Sequence, residues 1–382
     1  MDKFELIVPT LFGLESFAAR EIRRLGYETT SVEDGRVTFM GDWEAICRVN
    51  MWLRTGERVL IKAAEFTAVT FDELFEKTKA VDWGHWLDKS CAFPVKGYSL
   101  KSTLASVRDC QAIIKKAVAD KLSSTYGIEW LPEDGSLYQL QFSVLKDRVT
   151  LMIDTSGEPL HKRGYRQVSN LAPLRETIAA AMVTMSYWKF EYPFCDPFCG
   201  SGTIPIEAAM FKRNIAPGTT RRFAAHNFNQ ISDNMWQDAL DEARSSEKDV
   251  PLEIYASDID SSAVDITREN ARIAGVDAWV KPTIKDARKL DFDMPYGTII
   301  CNPPYGERLG EVKDCEKLYR EIGKTFQKLD KWSYYVLTSH ENFEDLFGKK
   351  ANKKRKIYNG MLKCNVYQFF GEKPPISKKT DK

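Results

Sequence analysis

A chain of 382 residues is too long for one ordinary hydrophobic core and calls for two or three domains. With 43% hydrophobic and 29% charged residues it reads as a soluble globular protein, and a formal net charge of +1 argues neither for nor against a nucleic-acid partner. No apolar run approaches ~20 residues and the start Met-Asp-Lys-Phe-Glu-Leu does not read as a signal peptide, so neither a membrane span nor export is expected. The eight cysteines form no Cys-x-x-Cys pair and the four histidines are scattered, so no metal site is expected and the thiols are expected to stay reduced in the cytoplasm.

The first ~65 residues alternate between strand and helix signals. Residues 4–8 read as a strand, 14–25 as a helix ended by Gly26, and 27–32 with 36–40 as a hairpin around Asp34-Gly35. Asp42 can cap a helix to about Trp52, and 58–64 supplies a closing strand, giving a ferredoxin-like βαββαβ order. A second block follows, with a helix at 71–80, an extended stretch at 92–98 and a helix at 109–123. That helix puts Cys110, Ile113, Ile114, Ala117, Val118 and Leu122 on one face, with Lys115, Lys116 and Lys121 off it. Residues 138–145 and 149–154 alternate as a hairpin.

From Leu174 the pattern becomes α/β. Helices are expected at 175–188, 203–211 and 262–274, and strands at 193–196, 253–257, 279–284 and 298–301. Each strand carries a polar signature at its C-terminal end, as in an open parallel sheet. Residues 213–249 read as an insertion with a helix near 233–244, and 371–382 as a frayed tail. Basic residues gather at Lys96, Lys101, Arg108, Lys115, Lys116 and Lys121, at Lys162, Arg163 and Arg166, and in the run 349–356. Local basic faces on a neutral protein are compatible with RNA binding, although any single run is more often solvated surface.

Asp196-Pro197-Phe198-Cys199-Gly200-Ser201-Gly202-Thr203 joins a strand to a helix, and its glycines let backbone approach a ligand closely. It lacks the lysine of a P-loop, and Pro205 stands where a dinucleotide fingerprint needs glycine. Asp196 would repel a phosphate and attract an ammonium, which suits S-adenosylmethionine (SAM), a cofactor with a free amino acid and no phosphate. Asp258, at the end of the next strand, can accept ribose hydroxyls, and Asp286 the adenine amine.

Asn302-Pro303-Pro304-Tyr305 follows a buried strand. The prolines fix a rigid turn, and an amide oxygen and a carbonyl can each accept one N–H of a base amine. That would favour a tetrahedral nitrogen with its lone pair turned to the methyl group, and Tyr305 would stack on an unpaired or flipped base. Such tetrads specify an amine and leave guanine N2, adenine N6 and cytosine N4 open. A rival chemistry, methylation of a pyrimidine carbon through a thiolate, would need Cys199 or Cys301 activated and accessible, and both read as packing residues.

These segments, with Ala256-Ser257-Asp258-Ile259-Asp260, Asn302–Arg308, the stretch 160–166 and the stretch 172–176, resemble the THUMP-domain RNA guanine-N2 methyltransferases, above all the bacterial enzymes acting on 23S rRNA. The resemblance covers nearly the whole chain. It implies an α/β fold: a Rossmann-like class I methyltransferase domain with a mostly parallel sheet at 159–382, preceded by ferredoxin-like (1–65) and THUMP (66–158) α+β domains. It further implies SAM as cofactor and S-adenosylhomocysteine as product, without a metal. Asp196, Phe198, Gly200, Gly202, Thr203, Asp258, Asp286 and Asn302 would bind SAM, and Asn302, Pro303, Pro304 and Tyr305 would hold the target amine. The partner would be structured RNA, 23S rRNA or a large-subunit precursor, gripped through phosphates by Lys101, Arg108, Lys115, Lys116, Lys162, Arg163 and Arg166. A tRNA guanine-N2 enzyme and an adenine-N6 enzyme are the nearest alternatives. A non-catalytic THUMP RNA-binding protein is a third, and the presence of Asp196, Asp258 and Asn302 together speaks against it.

Overall fold

A computed structural model of the protein describes residues 3–167, 173–306, 309–360 and 362–374. Two compact units emerge, one made of residues 1–10, 18–160 and 221–242, the other of 11–17, 161–220 and 243–382.

The first unit is built on one sheet. In chain order its elements are β1 (Phe4–Pro9), α1 (Glu15–Arg24), β2 (Thr29–Glu33), β3 (Arg36–Gly41), α2 (Trp43–Trp52), β4 (Leu60–Thr67), α3 (Phe71–Lys79), β5 (Val95–Leu100), α4 (Val107–Tyr126), β6 (Leu140–Leu145) and β7 (Arg148–Asp154). Asp42 caps α2 by accepting from the Ala45 N–H at 2.9 Å. Strand order β2-β3-β1-β4 is that of a ferredoxin-like unit, and β7-β6-β5 continue the same sheet through β4. Helix α4 outruns its expected bounds at both ends, because Ser106 caps it and Gly127 ends it in the left-handed region. It buries Cys110, Ile114, Ala117, Val118 and Leu122, while Ile113 stays half-buried.

The second unit holds α5 (Glu176–Met185), β8 (Phe194–Asp196) and α6 (Thr203–Lys212), and the chain then passes through α7 (Asp233–Ser245). The expected insertion divides here, since residues 221–242 group with the first unit. Next come β9 (Ile254–Asp258), α8 (Ser261–Ile273), β10 (Val280–Ile284), β11 (Thr298–Cys301), α9 (Leu309–Phe326), β12 (Ser333–Thr338), α10 (Phe343–Phe347), β13 (Lys353–Asn359) and β14 (Leu362–Phe369). Their sheet runs β10-β9-β8-β11-β12-β14-β13, parallel except for the reversed β14. The mostly parallel Rossmann-like sheet and the ferredoxin-like sheet before it are as expected. Helices flank the sheet, and its central strands β8 and β11 are wholly buried. No helix among the described residues is long and apolar enough to cross a membrane.

The register places the chemistry. Asp196 pairs across with Ala256, so Asp258 lies two residues further along β9, and Asn302 lies one residue beyond the end of β11. Their side chains therefore meet at the C-terminal edge of the parallel strands, where open α/β sheets bind ligands.

Candidate active site

A cavity of about 580 Å³ opens at that edge. Asp196, Phe198, Gly200, Thr203, Asp258, Asp286 and Asn302 all line it, joined by Pro173, Leu174 and Pro304. Gly202, Pro303 and Tyr305 do not.

The loop after β8 is held from several sides. Phe198 N–H donates to Asp196 Oδ1 at 3.1 Å, and Gly200 N–H donates to Asp258 Oδ2 at 3.0 Å. From α8, Thr267 Oγ1 donates to the Gly200 carbonyl at 2.9 Å and Asn270 Nδ2 to the Ser201 carbonyl at 2.8 Å. Gly202 is required by geometry: its φ is +83°, and a Cβ there would sit 2.9 Å from the Thr267 methyl. Loop, strand end and helix thus form one hydrogen-bonded frame whose backbone can change little when a ligand enters.

Charge within the frame is unbalanced. Asp196 is 1% exposed, and no basic side chain lies within ion-pair range of it among the described residues. Burial pushes its carboxyl well above the usual range, with the neighbouring Asp258 adding to the effect. A buried carboxylate that lines a cavity and lacks a basic partner is suited to a cationic ligand group. Asp286 differs. Arg288 holds its carboxylate, Nη2 to Oδ2 at 2.6 Å, which draws its pKa down, and reaches on to Glu321 at 3.3 Å. An adenine amine accepted by Asp286 would have to share it with Arg288.

The turn after β11 is folded on itself. The Tyr305 hydroxyl donates to Asn302 Oδ1, the atom expected to accept from a base amine. Its ring packs against the core cluster that contains Cys364, and burial pushes the phenol far above its ordinary value. The expectation that Tyr305 offers its ring to a stacked base is therefore corrected for this conformation: the ring is tucked inward because apolar contacts and the Asn302 amide both satisfy it there. Pro304 is exposed at the cavity, and its carbonyl accepts from Tyr319 Oη at 2.7 Å. Glu307 and Arg308, which complete the motif, and Ala172 lie outside the described residues.

Cys199 and Cys301 are buried and their thiols are pushed upward by that burial, so neither is an available thiolate.

The residues expected to grip RNA divide. In the first unit Lys101, Arg108 and Lys116 are exposed, while Lys115 pairs with Glu133 at 2.7 Å and lies over the Phe93 ring. In the second unit Lys162 is exposed. Arg163 is a correction. It is 2% exposed and faces Glu207, itself fully buried, so it cannot meet a phosphate. Arg166 is also turned inward. It pairs with Glu176 at 2.8 Å and donates to the Leu174 carbonyl at 3.0 Å, fixing the segment that walls the cavity. Basicity alone had grouped these two with surface lysines, whereas each has a carboxylate waiting in the core.

Thr267 and Asn270 went unmarked in the sequence. Their signal is present, because both are polar residues on the face of α8 that buries Ala263, Val264 and Ala271.

With this geometry in hand, comparison with known proteins is specific. Residues 163–368 match the family described as RMKL-like, methyltransferase domain; residues 5–60 match the RlmL ferredoxin-like domain, and 68–154 the THUMP domain. The chain is 47% identical to the Bacillus subtilis protein named "Putative RNA methyltransferase YpsC", over 100% of each. It is 33% identical to the ribosomal RNA large subunit methyltransferase K/L of Pseudoalteromonas atlantica, over 99% of this chain and 55% of that protein. The chain thus spans about half the length of that relative. The crystal structure of SMU.472 complexed with SAH matches with a TM-score of 0.93 and 41% identity, covering 98% of this chain and 100% of that one.

Proposed function

The chain belongs to the THUMP-containing, RlmL-like family of SAM-dependent methyltransferases, and from that premise we propose that it methylates the exocyclic N2 amine of a guanine in 23S rRNA, using SAM and releasing S-adenosylhomocysteine. The observation that carries the reading is the shared cavity, which brings a buried carboxylate without a basic partner, Asp196, to the same space as the Asn302 turn.

The residues fit the cofactor. Asp196 would take its ammonium and Asp258 its ribose hydroxyls, and the cavity offers no basic cradle for phosphate because Arg288 is held by Asp286 and Glu321. SAM would supply an electrophilic methyl on a sulfonium. The chain's own task is to present the amine. Asn302 Oδ1 and the carbonyl of Pro303, which would have to turn toward the cavity, would each accept one N–H, holding the nitrogen lone pair toward the methyl group. As the N–C bond forms the S–C bond breaks, and the proton then shed by the nitrogen passes to water, so no strong general base is needed. Asn302 Oδ1 has two lone pairs, so it can accept from the amine beside its present bond from Tyr305, and if that bond is released the ring would be free to stack on the base.

The rRNA assignment is supported by the K/L match, which covers 99% of this chain. The test is transfer of labelled methyl from SAM to unmodified 23S rRNA and, separately, unmodified tRNA, followed by nucleoside analysis. N2-methylguanosine in rRNA is the expected product. The same nucleoside in tRNA would replace the partner, and methylated adenosine would replace the base.

A further inference from the structure

The methyltransferase sheet carries a second cleft, of about 790 Å³, at the end opposite the cofactor cavity. Thr298 and Ser333, the first residues of β11 and β12, lie in its wall, whereas Asn302 follows the far end of β11. Strand β14 runs the other way, so its C-terminal end delivers Phe370 to this same pole.

Its lining is unusual for a protein surface. Tyr187 is 77% exposed and Phe370 37%, their rings 5.7 Å apart at 74°, and Tyr192 and Tyr296 form a second pair at 5.6 Å. Lysines are interleaved with these rings. Lys331 sits over Tyr296 and reaches Glu372 at 3.6 Å, while Lys189 and Lys373 are exposed with no carboxylate in ion-pair range among the described residues. Exposed aromatic rings tolerate water poorly unless a partner covers them, and cations with no counter-charge invite an anion. One class of ligand supplies both, a flat aromatic face and a phosphate at each step: single-stranded nucleic acid.

We infer that this cleft is a second RNA-binding site, in which an unpaired nucleotide of the substrate stacks on the Tyr187–Phe370 pair while its flanking phosphates meet Lys189 and Lys373. The inference rests on the RNA reading above and extends it from the target base to a distant segment of the same molecule. Strands of four to six residues separate the two sites by roughly 13–20 Å. The distant segment would anchor the RNA while the target base enters the cavity, so its contribution lies in affinity and not in the chemical step.

The experiment uses the full chain and an unmodified 23S rRNA transcript, with dissociation constants measured across a salt series. Lys189→Glu with Lys373→Glu should weaken RNA binding about tenfold and make the salt slope shallower by about one to two. Tyr187→Ala with Phe370→Ala should weaken it about tenfold with the slope unchanged. Both variants should bind SAM as the wild type does and retain its single-turnover rate at saturating RNA. RNA affinities within twofold of wild type for both double variants would overturn the inference, as would losses matched by an equal loss of SAM affinity. A wild-type protein that binds no RNA would overturn the parent reading as well, whereas normal RNA methylation with unaltered variants would overturn this inference alone.

Discussion

The two halves of the cavity differ in how far they are prepared. On the cofactor side the loop from Asp196 to Thr203 is tied at Gly200 and Ser201 to β9 and α8, by Asp258, Thr267 and Asn270. On the amine side Asn302 and Tyr305 satisfy each other. The lesson is an order of events: the cofactor would enter a frame already built, whereas on the acceptor side the Tyr305 ring would reach a base only once its hydroxyl leaves Asn302.

Substitutions can break the contrast in sequence of size. Asn302→Ala should lower methyl transfer by roughly 10²–10³-fold while leaving SAM affinity within about twofold, because Asn302, although it lines the shared cavity, is bonded on the amine side to Tyr305 and the carboxylates stay in place; a tenfold loss of SAM affinity would mean that the halves are not separate. Gly202→Ala attacks the frame. A side chain forced to positive φ against Thr267 should cost about 2–4 kcal/mol of stability, read as a lowered denaturation midpoint together with weaker SAM binding. Asn270→Ala leaves the Ser201 carbonyl unsatisfied and should cost about 1–2 kcal/mol, with SAM affinity falling alongside; unchanged SAM affinity would remove α8 from the frame.

Titration sharpens the same contrast. Burial raises the Asp196 carboxyl above its ordinary 3.8 in the folded protein, so folding shifts the balance toward its protonated form relative to the unfolded chain. Its contribution to stability is therefore greatest below the unfolded value and declines as pH rises through the raised folded value. A ligand ammonium favours the ionised form, so SAM affinity should increase over that same interval, with a proton released on binding below its upper end. Asp196→Asn should flatten the dependence; a wild-type affinity that does not rise with pH would show that no ammonium meets Asp196. The smallest effect is expected for Tyr305→Phe, which removes the hydroxyl from Asn302 but keeps the ring. Transfer should change by no more than about threefold, and a larger loss would give that hydroxyl a part in the chemistry.

Much of this was legible in the sequence where pattern and chemistry coincide. The loop and the carboxylates at successive strand ends announce themselves because the glycines and acids have few other reasons to recur at that spacing. The elements after Asn302 carry no expectation from the sequence, although Val312, Cys315, Leu318, Tyr319, Ile322 and Phe326 have helical spacing within α9. Strand β13 is harder to see. Its sequence Lys-Lys-Arg-Lys-Ile-Tyr-Asn looks like a solvated charge run, yet it is the edge of the sheet, where lysines discourage pairing with other chains. Asn359-Gly360, with Gly360 at φ +63°, was the hairpin signal that could have revealed it. The inward turn of Arg163 was beyond reach, because a sequence of charges does not say which of them has a buried partner. The same holds for Tyr305, whose resting place depends on Cys364, some sixty residues away in the chain.

The account turns on the cofactor half being complete before RNA arrives, and the SAM dissociation constant of the free protein, measured with and without 23S rRNA, tests that most directly. Stoichiometric binding without RNA, altered by no more than a few-fold when RNA is added, is the predicted result. Binding that appears only in the presence of RNA would contradict it, and would mean that the frame around Gly202 is assembled by the substrate.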